Sequence, residues 1–447
     1  MKKYLVLLSV TLWGMAAVPV FAESVTLREA VGRALENNHH LRAAAREEGA
    51  ARESVAVSRS RYLPRLYLDS GVALSTTPST VFMMKLNEGR INPGSDFTAD
   101  RLNHPDPRAD FATTLTLDQP LLDFGISSGV DMAAKEAEGA ELRTGEGREE
   151  IAFRVSLAYF EVLKARAYND IAGQAVADAR EHERLAGLRE RDGLGLKSDS
   201  LRAATARSEA EQRLVSAGNN LTIARLRLNL LTGGKDGEEL DAGVGPRLAA
   251  PSAGKDDLVL LAQRSRPDLA VANNAVQLGE LGVRRAKEAY LPTVHAQASY
   301  QVNDRSVPLG YDNDSWTVGV SLRWELFDGL SRSHERSRAE LKREAAAELL
   351  ENVRREAALQ VKESLLRRQE AELRLASAQG AVRAAEEGMR LIALRFQNGL
   401  SSMVELLDAE AALNGARANL VEVENGLQVS SAEVYFRAGV LVKEVMK

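Results

Sequence analysis

Two periodicities divide the chain. In residues 315–326 apolar and polar positions alternate, with Trp316, Val318, Val320, Leu322, Trp324 and Leu326 opposite Ser315, Thr317, Gly319, Ser321, Arg323 and Glu325. Residues 293–303 do the same, Val294, Ala296, Ala298, Tyr300 and Val302 on one side and Thr293, His295, Gln297, Ser299 and Gln301 on the other. A period of two predicts half-buried strands. Weaker alternation at 66–75 (Leu66, Leu68, Val72, Leu74) and 111–120 (Phe111, Thr113, Leu115, Leu117) predicts two more. Elsewhere the period is seven. One seam is Ile151, Ala158, Ala165, Ala172, Ala179 and Ala186 with Val155, Val162, Asn169 and Val176. The other is Ala357, Ser364, Ala371, Ala378, Ala385 and Ile392 with Val361, Arg368, Leu375, Val382, Met389 and Phe396. These predict helices over 126–191 and 330–396, each roughly 95 Å long and packed as coiled coils whose alanines admit close approach. Helices over 199–231 and 401–438 return.

The pattern occurs twice. Ala34 to Leu41 matches Ala262 to Leu269, and Leu63-Pro64 matches Leu291-Pro292, at an offset of 228. Leu122-Asp123 matches Phe327-Asp328 at 205, and Gly193-Leu194 matches Gly399-Leu400 at 206. The first copy therefore holds a 23-residue insertion within residues 76–110. So long a repeat is a duplicated supersecondary unit: helix, β-hairpin, long helical hairpin, over 23–231 and 257–447. Residues 232–256, rich in Gly, Pro and charge, read as the linker. Ser24 or Thr26 caps the first helix, with Glu29 as capping-box partner of Thr26, and no proline interrupts it up to about Arg61. Asp256 or Asp257 caps its counterpart, which runs to about Tyr290 with a kink or break at Pro267. The insertion reads as a longer external loop, with Phe82-Met83-Met84 and Leu86 on a loop helix.

Composition narrows the setting. Lys2-Lys3, an apolar run from Tyr4 and the small-residue site Val20-Phe21-Ala22 predict a secretory signal over residues 1–22. Its removal takes two lysines and leaves a formal charge of −7, against nucleic acid or an anionic surface as partner. No later run is long and apolar enough for a membrane helix. Cysteine is absent, which excludes disulfides, thiolate metal sites, thiol nucleophiles and a cysteine-linked lipid anchor. Trp316 and Trp324 stand roughly 26 Å apart along a strand, near the apolar band of about 25 Å between the aromatic girdles of outer-membrane barrels. Four strands cannot close a barrel in lipid, where every open edge leaves backbone groups unpaired. The chain must therefore oligomerise, and a closed ring of protomers is the natural solution.

With Leu-Leu-Asp-Phe-Gly at 121–125, Leu-Phe-Asp-Gly at 326–329, the Leu-Pro pairs and the two Gly-Leu turns in this order, the chain resembles the outer-membrane efflux proteins, the TolC-like family. The resemblance spans nearly the whole mature chain. It implies a mainly α fold with a small transmembrane β-barrel contribution: four strands per protomer, a twelve-stranded barrel and an α-helical tunnel in a homotrimer. It also implies residence in outer-membrane lipid and service as the exit duct of a tripartite efflux or type I secretion system, with a periplasmic membrane-fusion adaptor and an inner-membrane transporter as partners. The family closes its periplasmic entrance with acids after the second turn, positions that fall on Glu405 and Asp408; Asp199, preceded by Ser198, holds the matching place in the first copy. A ring of such carboxylates should raise some of their pKa values. The adaptor is expected at Gly193, Leu194, Gly399 and Leu400. Where a familiar member carries tyrosine and arginine around the second turn this chain has Phe396 and Ser401, so the gate should be held differently or more loosely.

Plainer readings stand beside these. The Gly-Leu turns equally suit ordinary helix C-caps with a hydrophobic contact. His39-His40, or Met83-Met84 with His104, converge too poorly for a metal site. No catalytic motif or cofactor fingerprint is found, so no catalytic residue, metal or cofactor is assigned. A periplasmic coiled-coil scaffold or adaptor-like protein without a pore explains the heptads and leaves the alternating strands unexplained. Drug, metal and protein substrates are all compatible with the sequence.

Overall fold

The computed structural model describes residues 23–243, 248–249 and 254–447. The expected signal segment and some of the 232–256 linker lie outside them. The first copy runs β1 (Glu23–Val25), α1 (Leu27–Asn37), α2 (His39–Arg59), β2 (Arg65–Ser75), α3 (Pro78–Asn87), α4 (Ala99–Asn103), β3 (Arg108–Leu122), α5 (Phe124–Arg191) and α6 (Lys197–Thr232). After β4 (Leu240–Ala242), the second runs α7 (Lys255–Ser265), α8 (Pro267–Glu288), β5 (Thr293–Asp304), β6 (Asn313–Arg323), α9 (Ser331–Gln397), α10 (Met403–Arg437) and α11 (Leu441–Val445). Every seam position of the two heptad series is buried or half-buried.

Local chemistry sets the helix ends. Thr26 caps α1 in a reciprocal box: its backbone N–H donates to Glu29 Oε2 (2.8 Å) and its hydroxyl accepts from Glu29 N (3.3 Å). The expected unbroken first helix is in fact two. Asn38, extended at ψ 127°, separates α1 from α2; its side chain accepts from His40 N and donates to Leu231 O, supplying without proline what a break needs. In the second copy Pro267 takes the first position of α8 and makes the break foreseen there. Gly254, not Asp256 or Asp257, is the cap of α7; the two aspartates lie in its first turn, where carboxylates favour the positive end of the helix.

Each copy closes on its own beginning. Gly233, at φ +75°, ends α6 so tightly against α1 that a Cβ there would lie 2.6 Å from Asn37 O. Gly439, at φ +71°, ends α10 against the α7–α8 break, where a Cβ would lie 2.8 Å from Arg266 Cα. Around these clasps sits the largest core, with Val31 and Ala34 of α1, Ile151 to Ala165 of α5, Leu228 of α6, and Val434 and Leu441 near the end of the chain. Phe153 stacks on Phe436 at 4.5 Å. The parallel pair β1–β4 borders it. Burial would raise the carboxyl of Asp241, but Arg225 (2.7 Å) and Arg166 outweigh it and hold the group below the usual carboxylate range.

The remaining strands form one antiparallel sheet in the order β2-β3-β5-β6, each hairpin contributed by one copy and the copies joined along β3–β5. Register carries a single apolar face across it: Leu68 opposes Leu115, Leu115 opposes Tyr300, and Tyr300 opposes Trp316. The other face is Thr114, Thr116, Ser299, Gln301, Ser315 and Thr317. Pairing slips between Pro120 and Leu122, where proline has no N–H to donate. The strand expected over 315–326 ends at Arg323, so Trp324 lies one residue beyond it; its indole N–H donates to Tyr290 O at 3.1 Å as the chain turns towards α9.

Candidate functional site

The two long hairpins turn with the same geometry. Asp192 and Asn398 end α5 and α9, and Gly193 and Gly399 follow at φ +73°. Gly193 N donates to Glu190 O and Leu194 N to Arg189 O; Gly399 N donates to Phe396 O and Leu400 N to Arg395 O. Both are therefore Schellman caps, in which only glycine takes the left-handed position without steric cost. In such a cap the residue after the glycine usually folds back onto the helix. Val440, in the same position after Gly439, does so and is 9% exposed. Leu194 and Leu400 do not: they are 80% and 68% exposed. The plain reading thus accounts for the glycines and fails for the leucines.

Beyond the turns, Ser198 and Asp199 lie in the first turn of α6, while Glu405 and Asp408 lie in the first turns of α10. All four stand at the end of the molecule away from the sheet. Glu405 is occupied: it completes a capping box with Ser402, whose N–H reaches it at 2.9 Å, and accepts from the Ser401 hydroxyl. The Ser401 hydroxyl first, then the Ser402 N–H, hold its carboxyl below the usual range within the protomer. Ser198, Asp199 and Asp408 have no side-chain hydrogen bond or ion pair among the described residues and remain available to a neighbour.

Two links between the hairpins escaped sequence reasoning. Arg189, near the end of α5, donates from Nη2 to Phe396 O (2.6 Å) and Gln397 O (3.0 Å) at the end of α9, and its guanidinium lies 4.2 Å from the centre of the Phe396 ring. One cation thereby adds a donor to two carbonyls at the helix end, one of which already accepts from Gly399 N, and covers an aromatic face. Phe396 is buried with Ala186, Ala203, Met403 and Leu406, so the residue in the tyrosine position holds the tips together by packing. Leu-Arg at 188–189 and 394–395, ending four residues before each turn glycine, was the available signal. Further up, His182 Nε2 of α5 lies 3.2 Å from Glu410 Oε2 of α10, at ion-pairing distance but outside hydrogen-bond geometry.

The opposite end is the sheet. Its apolar face is bare: Trp316 is 74% exposed, Val318 68% and Leu68 61%. Trp324, Tyr290 and Tyr62 are exposed at the edge nearest the helices, and Trp316 and Tyr300 towards the other. Strands of 11 to 15 residues suffice to cross the hydrocarbon core of a bilayer when tilted. Strands β2 and β6 each have an unpaired edge. Between sheet and tips, Leu359, Leu366 and Leu373 of α9 form an exposed heptad stripe, and Leu201 and Val215 of α6 are also exposed. No helix among the described residues is long and apolar enough to cross a membrane, and these residues hold no cluster of three or more His, Asp or Glu suited to a metal ion.

The outer membrane efflux protein family matches this chain over residues 30–234 and 258–440, one stretch in each copy. The alkaline protease secretion protein AprF of Pseudomonas aeruginosa is 25% identical over 91% of this chain and 83% of its own. The proteases secretion protein PrtF of Dickeya chrysanthemi is 25% identical, covering 95% and 90%, and the outer membrane protein TolC of Vibrio cholerae 25%, covering 94% and 91%. Among solved structures, the Campylobacter jejuni CmeC outer membrane channel matches with a TM-score of 0.77 at 16% identity, over 92% of this chain and 85% of that one. The outer membrane protein VceC of Vibrio cholerae matches at 0.74 and 18%, over 92% and 96%. These structural likenesses establish the fold.

Proposed function

The chain belongs to the outer membrane efflux protein family, and from that premise we propose that three copies form a continuous passive conduit, a twelve-stranded barrel in the outer membrane continued by an α-helical tunnel into the periplasm. In this reading it is the exit duct of a tripartite efflux or type I secretion system, receiving substrate from an inner-membrane transporter through a periplasmic adaptor, with no chemical step of its own. The observation that carries it is the four-stranded sheet with a bare apolar face and two open edges, since such a sheet is tolerable only when lipid covers the face and neighbouring strands complete the edges.

The tips supply the roles at the far end. Leu194 and Leu400, held out by their glycine turns, are apolar knobs for the adaptor. Asp408 and Asp199, unengaged among the described residues, form the acidic entrance ring, with Ser198 beside them. Glu405 acts there mainly as a helix cap. Arg189 and Phe396 hold the entrance together in place of the hydrogen-bonded tyrosine of the familiar member. Protease secretion and efflux both occur among the names of the relatives, and the chain's own residues favour neither.

The test is native mass spectrometry of protein extracted from outer membranes, followed by conductance in planar bilayers. A trimer that conducts is expected. A water-soluble monomer or dimer without conductance would return the chain to the coiled-coil scaffold reading. Deletion of the gene, scored against drugs, detergents, metal salts and secreted proteins, then assigns the substrate class.

A further inference from the structure

The connection between β2 and β3 does not extend outward as a simple loop. Its helix α3 packs on β3 and β6, crossing the end of the sheet from one hairpin to the other. Glu88, 1% exposed, forms a two-pronged ion pair with Arg108 at the start of β3. Arg90 Nη2 pairs with Asp312 Oδ1 at 2.6 Å beside the tip of the second hairpin, and Asn313 Nδ2 donates to Asn87 O at 3.0 Å. Gly89, at φ +65°, brings the backbone against Asn313. The segment is tied internally by Lys85–Asp96 at 2.7 Å and an edge-on contact of Phe82 with Phe97, and Val81 and Met84 are buried.

Strand parity tells which side of the sheet this segment covers. Arg108 and Asp110 share the face of Thr114 and Thr116, and Asn303 and Asn313 the face of Gln301 and Ser315. That is the polar face. Arg108, Asp110 and Asn303 are all buried beside the insertion, and Asn303 Nδ2 donates to Asp110 Oδ2 at 2.8 Å. On the proposed function, on which this step rests, the apolar face meets lipid and the polar face lines the conduit. The end concerned is the exterior one, because α5 and α9 leave the sheet from the other end.

We propose that residues 78–103 are an inward-folded lid on the exterior mouth, locked to the barrel wall by Glu88–Arg108 and Arg90–Asp312, and that three copies narrow the exit independently of the tips. The second copy, whose equivalent connection is only residues 305–312, contributes no such element. Removing the charge of Glu88 leaves Arg108 buried without its partner, which favours release of the segment.

The absence of cysteine gives a clean test in intact cells. Thr317→Cys reports the polar face and Val318→Cys the apolar face, each made in the full chain, in a Glu88→Gln background, and in a chain with residues 78–103 replaced by a short Gly-Ser link. A small charged thiol reagent added from outside should label Thr317→Cys in all three backgrounds and Val318→Cys in none. A bulky polyethylene-glycol maleimide should label Thr317→Cys slowly in the full chain, and roughly tenfold or more faster once the lid is released or removed. Equal rates with the bulky reagent, with the small-reagent pattern intact, would overturn the lid alone. Labelling of Val318→Cys but not Thr317→Cys by the small reagent would overturn the barrel orientation and the lid with it.

Discussion

Helices α5 and α9 are products of the same duplication, yet they hold opposite places in the protomer. Eighteen residues of α5 are buried, because α2, α6, α8 and α10 all pack on it; seven of α9 are, because among the described residues α7, α8 and α10 supply most of its packing and α5 and α6 meet it chiefly near Phe396. At the shared offset of 206, Phe160 is 4% exposed and Leu366 65%. The same register position is core in one copy and bare in the other. Duplication therefore preserved the heptad while assigning one helix to the interior and the other to an edge left exposed among the described residues.

Charging that edge should break the comparison most severely. Leu359→Glu with Leu366→Glu forfeits about 1.5–3 kcal/mol per leucine at every interface of the ring, so native mass spectrometry should find folded monomers where the parent gives a trimer; an intact trimer would mean that α9 faces something other than a neighbour. The arginines sharpen it next. Arg189→Ala removes two charge-assisted bonds across the hairpins and should destabilise the tips by about 1.5–3 kcal/mol, read as faster amide exchange around Phe396 and more frequent channel opening in bilayers. Its repeat partner Arg395 donates to Leu400 O of its own turn, at 3.2 Å, and makes no hydrogen bond to the other hairpin among the described residues, so Arg395→Ala should leave the opening frequency near the parent value. The smallest effect on stability belongs to the turn leucines. Leu194→Ser and Leu400→Ser, on side chains already in water, should shift thermal stability by less than about 0.5 kcal/mol while abolishing efflux or secretion in a complementation assay. Retained transport would place the adaptor elsewhere.

What the sequence disclosed follows from period. Sustained sevens gave α5 and α9, and sustained twos gave the hairpins and their common apolar face, because these patterns record which side of an element is withdrawn from water. Features set by a few distant partners stayed hidden. The break at Asn38 depends on a hydrogen bond to Leu231 O, the end of β6 on an indole reaching Tyr290 O, and the direction of the insertion on Glu88 meeting Arg108. At the tips the glycine turns and acids were visible as residue types. The engagement of Glu405 by Ser401 and Ser402, and the reach of Arg189 to the other hairpin, were not.

The paired clasps at Gly233 and Gly439 have a mechanical consequence. The core they border grips α5 only as far as Ala165, and from there to Arg191 the helix extends about 40 Å as a lever arm. A tilt of about 5° at this fulcrum would carry the far end sideways by about 3.5 Å, roughly one layer of atoms. Minor repacking at the waist is thereby geared up into a movement large enough to pull touching side chains apart at the free end.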